Sequence, residues 1–298
     1  MYVFQDGSRE GKESDVKKCG EVRCVLEELT KDADVVLHTL YSEKNLGCGA
    51  GPMTGISWFF DQVERGIVME DDCLPHPDFF GYCEELLLRY KDEDIVRFIN
   101  STIYDGRWKC SASYDFSHYM VTGAWAGWRR TWQGFDLDLH NLDAKAFRKH
   151  VFRLTDNRAE ANWWYSIVKE IQQDENKKSY WDYQMQIHLF TDSALTIHPQ
   201  RNLVSNIGFD GEGTHTLSNA DGRGGKKVFP ILPLTHPKVQ FVDKKRDAYC
   251  WAKAQSKGWL KDMISYVYES LLWSEGLGHK LLMCYKKMRG KGINSRKV

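Results

Sequence analysis

Three consecutive carboxylates, Glu70, Asp71 and Asp72, directly follow the short apolar run at residues 67–69. Such a run predicts a buried strand, and three like charges at its end are unfavourable unless a positive charge lies beside them. Divalent cations such as Mn²⁺ or Mg²⁺ prefer oxygen ligands and commonly bind substrate phosphates. The pattern therefore indicates a nucleotide-activated substrate, with Asp72 on the metal and Glu70 and Asp71 nearer the ribose and the sugar. A solvated acidic turn is the alternative interpretation.

Two further acids and a histidine could complete such a site. Asp182, at a predicted helix start, is either a general base for an acceptor hydroxyl, with aromatic neighbours as a platform, or an acid that satisfies the helix dipole. Asp6 ends the first predicted strand and either accepts a hydrogen bond from a base or ribose or simply forms an Asp-Gly turn. His215 lies in a long Gly-rich loop, where it either binds metal or pyrophosphate or is solvated.

The segment from Trp125 to Trp132 combines tryptophans with arginines. Trp128 and Arg130 could stack on a sugar and pair with a phosphate. The alternative is a core helix with tryptophans on its inner face. The Gly-rich stretch at residues 47–51 is equally open, because its backbone N–H groups could face an anion or it could be a plain tight turn.

Hydrophobic periodicity predicts the elements that position these residues. Strands are expected at residues 2–4, 35–40, 67–69, 95–99 and 195–199, and helices at 11–31, 54–65, 79–90 and 157–174. The Gly-rich stretch is expected to be a loop before helix 54–65, and Gly66 is expected to stop that helix. The strand–helix–strand order predicts a mixed, mainly parallel sheet, and open α/β sheets bind ligands at the carboxyl ends of their strands.

Composition excludes several classes of protein. The 41 basic and 41 acidic residues balance, whereas a nucleic-acid-binding protein usually shows a basic excess. The eight cysteines form no Cys-x-x-Cys pair and no signal peptide is visible, which predicts a cytoplasmic protein rather than a disulfide scaffold. The basic end, residues 286–297, indicates either peripheral contact with the inner membrane face or a solvated tail.

Several of these motifs, taken in order, resemble the GT-A-fold glycosyltransferases. Residues 65–75 with Phe79-Phe80 are similar to the acidic signature of the N-acetylglucosaminyltransferase I-like group and its bacterial relatives that build surface polysaccharides. Similar later blocks lie at residues 127–132, 181–184, 202–208 and 214–216. The resemblance extends over about residues 2–250.

The resemblance implies a GT-A domain at residues 1–250, with a Rossmann-like mixed sheet and helices on both faces, and a helical, basic extension at 251–298. Because family members usually open with one more strand and helix, it also implies a sheet lacking that first unit. The implied activity is metal-dependent, inverting sugar transfer from a nucleotide-diphospho-sugar, in the first place a UDP-sugar, to a hydroxyl of a saccharide or glycolipid. The candidate residues are Asp182 as base, Asp72 and His215 on the metal, and Asp6, Glu70, Asp71, Trp128 and Arg130 on the donor.

Two other functions compete with this prediction. A nucleotidyltransferase of the same fold would need a Gly-rich, basic triphosphate loop near its start, and none is visible. A non-catalytic nucleotide- or carbohydrate-binding protein is favoured by the missing first unit. Turnover of a sugar nucleotide separates the transferase from the binding protein.

Overall fold

A computed structural model describes residues 1–103, 111–173, 181–208 and 224–255. Within these ranges the chain forms nine strands and eight helices. The first half contains β1 (Tyr2–Gln5), α1 (Glu13–Thr30), β2 (His38–Tyr41), α2 (Gly47–Gln62), β3 (Arg65–Met69), β4 (Cys73–Pro75), α3 (Asp78–Arg89) and β5 (Val96–Asn100). The second contains β6 (Tyr114–Ser117), β7 (Ala124–Trp128), α4 (Arg129–Trp132), α5 (Ala144–Thr155), α6 (Arg158–Gln173), α7 (Asp182–Thr191), β8 (Leu195–Pro199), β9 (Val204–Asn206) and α8 (Lys244–Gln255).

The central element is a five-stranded mixed sheet in the order β3-β7-β5-β8-β6. Strands β3, β5 and β8 run in one direction, and β6 and β7 run in the other. The expected mixed sheet is confirmed, but the expectation of mainly parallel pairing is wrong, because only β5 and β8 pair in parallel in this sheet. The reason is β7, which lies between β3 and β5 and pairs with both in antiparallel fashion.

Two smaller sheets accompany the central one. Strands β1 and β2 pair in parallel, and β4 and β9 form an antiparallel ribbon. The β4–β9 ribbon begins directly after the acidic triplet, since Cys73 pairs with Asn206. The predicted α/β class is therefore confirmed, with strands and helices alternating along the chain.

Helices cover both faces of the central sheet, as expected. On one face, α3 contributes Tyr82 and Leu86 to a buried cluster with side chains of β5, β6, β7 and β8. On the other, α2 and α7 pack against Phe98 and Trp125. Side chains alternate between the faces of a strand, so Trp125 and Trp128 of β7 enter opposite layers. Helices α5, α6 and α7 enclose a third cluster.

Several predicted elements are confirmed. The helices expected at 11–31, 79–90 and 157–174 correspond to α1, α3 and α6, and the strand expected at 195–199 is β8. The prediction of a Gly-rich loop is wrong, because residues 47–51 already belong to α2. Gly47, the first residue of this helix, has a φ of +76° that favours glycine. Gly66 does not stop the helix either; it lies within β3.

The expected domain boundary between residues 250 and 251 falls inside α8. This helix is tied to β6, since Arg246 donates to the Phe116 carbonyl at 2.6 Å and forms an ion pair with Asp115. The rest of the expected extension, residues 256–298 with its basic segment, lies outside the described residues. Among the helices that the structure describes, none combines the length and the apolar character needed to cross a bilayer.

Candidate functional site

The carboxyl ends of β3, β5 and β8 share one edge of the central sheet, because these strands run in the same direction. The acidic triplet follows β3 at this edge. Asn100 ends β5 and His198 lies at the end of β8, and their side chains are hydrogen-bonded at 3.0 Å. This is the edge at which open α/β sheets commonly bind ligands.

Glu70 is the most perturbed acid at this edge. Its backbone N–H donates to the Gly123 carbonyl at 2.8 Å, which holds the residue against the start of β7. Glu70 retains exposed surface, but the surrounding protein displaces part of its bulk water, and this desolvation is the largest cause that raises the pKa of its carboxyl. Together with the repulsion of Asp72, Asp71 and Asp182, it raises this pKa to about 7. Glu70 thus lies within electrostatic reach of three other acids, and a cation bound here would relieve their repulsion.

Asp72 is oriented by the β4–β9 ribbon. The Asn206 side-chain amide donates to the Asp72 carboxylate at 2.7 Å, and the Ile207 N–H donates to the Asp72 carbonyl at 2.8 Å. Gly208 packs so closely that a Cβ on it would lie 2.6 Å from Asp72 Oδ2. Asn206 and Gly208 are therefore site residues that sequence reasoning missed, although both belong to the block at 202–208. Asp71 is exposed in the turn beside them.

Asp6 reaches the same region from β1 and caps α2. Its carboxylate accepts hydrogen bonds from the N–H groups of Leu46 at 2.8 Å and Gly47 at 2.9 Å. These are among the donors that a helix N-terminus leaves unsatisfied, so the positive end of α2 already faces an anion that belongs to the protein. The turn that follows β1 is equally tight, since a Cβ on Gly7 would lie 2.5 Å from the Lys44 backbone. A contact of Asp6 with a base or ribose stays a prediction.

Asp182 is the first residue of α7, and its carboxylate accepts the Tyr183 N–H at 2.9 Å. Its negative charge affects the pKa values of two other residues of the site, Glu70 and Cys48. It raises the pKa of Glu70, and together with Asp6 it raises the pKa of the Cys48 thiol, for which burial is the largest cause. Asp182 is therefore within electrostatic reach of both the acidic triplet and the start of α2, and Cys48 is a residue of this region that the sequence did not single out.

The aromatic neighbours of Asp182 do not form the expected acceptor platform. Trp181 is buried and packs beside Trp132, with ring centroids 6.1 Å apart. Tyr183 is buried among α5, α6 and α7. Both rings thus belong to the core, and this part of the prediction is wrong.

The prediction that Trp128 and Arg130 bind the donor is also wrong. Trp128 pairs with Arg65, the first residue of β3, whereas the acids follow Met69, its last residue. At about 3.3 Å per residue, this places Trp128 roughly 13 Å from Met69 and still farther from the acids, at the opposite edge of the sheet. Its ring is fully buried beneath the Arg130 guanidinium, 4.3 Å away.

Arg130 has a structural role at that opposite edge. It donates to the backbone carbonyls of Lys91 at 2.7 Å and Tyr90 at 2.9 Å, just beyond the end of α3. A guanidinium offers five donors, and here they satisfy carbonyl groups of the chain. Burial lowers the pKa of Arg130, as expected for a cation inserted into the protein.

Within the described residues, no group of three or more His, Cys, Asp and Glu side chains is arranged to hold a metal ion. Of the two predicted metal ligands, Asp72 follows β3 as expected, and His215 lies outside the described residues. The flanks of the segment that contains His215 both bond to Asn206: Gly208 donates to its side chain at 2.9 Å and Gly225 to its carbonyl at 2.9 Å. Both flanks therefore begin beside the residue that orients Asp72.

No model of a known protein family matches this sequence, and no curated protein matches it either. The chemistry of the site is thus inferred from its own residues. Separate elements bring the carboxylates of Asp6, Glu70, Asp72 and Asp182 to one region at the carboxyl edge of the sheet.

Proposed function

We propose that the protein is a GT-A-type glycosyltransferase. It transfers a sugar from a nucleotide-diphospho-sugar, with UDP-sugars the first candidates, to a hydroxyl of a saccharide or glycolipid acceptor. The reaction proceeds with inversion and contributes to the synthesis of a bacterial surface polysaccharide. We place the protein in the cytoplasm.

One observation carries this proposal: Asp182 acts electrostatically on Glu70, at the end of a different element from its own. Residues 70 and 182 are far apart in the chain, yet the fold brings them within electrostatic reach of each other and of Asp72. An acidic turn that served only solubility would not need a fourth acid from a different element beside it, because like charges placed together are unfavourable. A site that binds a cation and then a diphosphate makes such an arrangement useful.

The roles of the residues follow from their positions. Asp182 accepts the proton from the acceptor hydroxyl, whose oxygen then bonds to the anomeric carbon as the bond from that carbon to the diphosphate breaks. Attack from the side opposite the leaving group inverts the anomeric centre. Glu70 and Asp71 contact the ribose or the sugar, and Asp6 contributes from the end of β1. Trp128 and Arg130 have no part in this site.

A divalent cation would be held by Asp72, with His215 as a further candidate ligand. When bound, it supplies Lewis-acid stabilisation of the leaving diphosphate. Two residues at the β9 side keep the Asp72 carboxylate in place. The Asn206 side-chain amide donates to it at 2.7 Å, and Gly208 packs closely against it.

The decisive experiment measures turnover of a panel of UDP- and GDP-sugars with Mn²⁺, with and without saccharide acceptors. The wild type is expected to turn over at least one donor, and Asp182→Asn is expected to lower kcat by about 10²–10⁴-fold because it removes the base. Asp192→Asn is the matched control, since Asp192 caps the carboxyl end of the same helix, directly after its last residue. Its kcat is expected to stay within twofold of wild type, roughly.

The other outcomes identify the rival functions. A wild type that binds the donor without any turnover would be a non-catalytic binding protein. Formation of a sugar nucleotide from a nucleoside triphosphate and a sugar phosphate would identify a nucleotidyltransferase. Unchanged turnover in Asp182→Asn would remove Asp182 from the mechanism.

A further inference from the structure

Gln186 makes two hydrogen bonds that tie α7 to the connection between β6 and β7. Its side-chain oxygen accepts the Met120 N–H at 2.9 Å, and its side-chain nitrogen donates to the His118 carbonyl at 2.8 Å. The side chain is buried, with 5% of the residue exposed. Gln186 follows Asp182 by four residues, so the two lie on the same side of α7.

The connection itself, residues 118–123, is held on its other sides. Asp247 of α8 accepts the His118 N–H at 3.0 Å, and Asn100 at the end of β5 accepts the Val121 N–H at 2.6 Å. The connection has no regular secondary structure, so side chains take the place of a strand partner for its backbone. It is therefore a fixed support.

The same connection ends on the acidic triplet. Gly123, with a φ of +106° that favours glycine, accepts the Glu70 N–H at 2.8 Å through its carbonyl. A continuous path of short contacts thus runs from Asp182 along one turn of α7 to Gln186, through the connection, and on to Glu70. This path of contacts sets the distance between Asp182, the proposed base, and Glu70, one of the proposed donor-binding acids.

We propose that Gln186 is a positioning residue for the transfer reaction, which holds the Asp182 carboxylate at a set distance from the acidic triplet through residues 118–123. This inference depends on the proposed function for its kinetic consequence. Gln186 touches neither donor nor acceptor. Its loss is therefore expected to impair the chemical step and to leave donor binding unaffected.

The test compares two identical substitutions on one helix. Gln186→Leu removes both hydrogen bonds and leaves buried backbone groups unpaired. Gln184→Leu is the control, because Gln184 is equally buried, at 1% exposed, and within the described residues its side-chain oxygen has no hydrogen-bond partner. Gln186→Glu keeps the acceptor for the Met120 N–H and loses the donor to the His118 carbonyl.

Gln186→Leu is expected to lower kcat by about 10–100-fold with the donor KM within about twofold, since a displacement of about 1 Å can cost that much. Gln184→Leu is expected to keep the wild-type kcat, and Gln186→Glu to give an intermediate value. Equal losses in the two leucine variants, or a loss confined to KM, would overturn the inference. If Gln186→Leu does not fold, the comparison of Gln186→Glu with Gln184→Leu decides in the same way.

Hydrogen exchange separates this inference from the proposed function. In Gln186→Leu the amide of Met120 and the amides of the first turn of α7 are expected to exchange faster than in wild type, whereas in Gln184→Leu they exchange at the wild-type rate. Unchanged exchange in Gln186→Leu would overturn the positioning role whatever the kinetics. A wild type without turnover would defeat the proposed function alone, and the exchange data would still decide on Gln186.

Discussion

The region formed by β1, α1 and β2 is packed very differently from the central sheet. No residue of α1 is buried, and its Leu29 is 73% exposed. In β7 and β8, by contrast, every residue is buried. The first region therefore contributes little apolar burial, and we expect the central sheet and its helices to supply most of the stability.

The candidate site is built across this difference. Asp6 comes from the loosely packed region, whereas Glu70 and Asp182 are delivered by elements of the well-packed one. Helix α2 links the two, because Gly55 lies against Phe4 of β1, and Phe59 packs on Gly66 of β3. Regions with few buried contacts open more readily, so we expect the Asp6 side of the site to be its more mobile part.

The largest expected effect contrasts two substitutions to alanine. Trp125→Ala is expected to lower the free energy of unfolding by about 3–5 kcal/mol, because its buried ring stacks on Phe98 at 4.5 Å. Leu29→Ala is expected to change it by no more than about 0.5 kcal/mol. Urea denaturation of both variants provides the measurement. Similar losses in the two would show that α1 is covered in solution and would break the comparison.

The second effect contrasts two acids. Burial, with a smaller contribution from Asp247 and against the hydrogen bond from Tyr119, raises the pKa of Glu160 in α6 from 4.5 to about 8. Between pH 4.5 and 8 the folded form therefore binds more protons at this group than the unfolded one. Its contribution to stability is complete below pH 4.5 and is lost as the pH rises through 8.

The glutamine in Glu160→Gln has no charge to lose. The variant is therefore expected to lack the decrease in unfolding free energy, about 1.4 kcal/mol per pH unit, that Glu160 causes between its two pKa values. In the other region, Arg9 lowers the pKa of Asp15 to about 2, and the contribution of Asp15 is lost only as the pH falls through that value. Asp15→Asn is therefore expected to leave the slope of the stability curve unchanged above about pH 5. Urea denaturation of both variants at several values between about pH 5 and about pH 9 measures these slopes. A slope in Glu160→Gln equal to that of wild type would contradict the pKa assigned to Glu160.

The smallest expected effect concerns the contact between the two regions. Asp6→Ala removes the acceptor for the N–H groups of Leu46 and Gly47 and is expected to cost about 1 kcal/mol, as for other helix caps. Asp6→Asn retains one side-chain oxygen and should cost less. Thermal unfolding of the two variants measures this difference. Equal stability of wild type and Asp6→Ala would show that α2 does not depend on β1 for its cap.

Local pattern predicted much of the fold and part of the site. The periodicity of α3 and α6 and the apolar run of β8 are properties of short segments, and burial then follows the pattern. The position of the acids after β3 could be predicted for the same reason. The start of α2 could not, because its glycines look like a loop, and the helix N-terminus there is capped by Asp6 from a distant part of the chain.

The acidic triplet at a strand end and Asp182 at a helix start could be predicted from local pattern, since each depends on neighbours in the chain. Which candidates meet depends on the packing of distant segments. The register of β7 sends Trp128 and Arg130 to the far edge, and Gln186 acquires its role through residues 118–123. Pairing between distant segments is set by the packing of the whole core, and no local pattern contains that information.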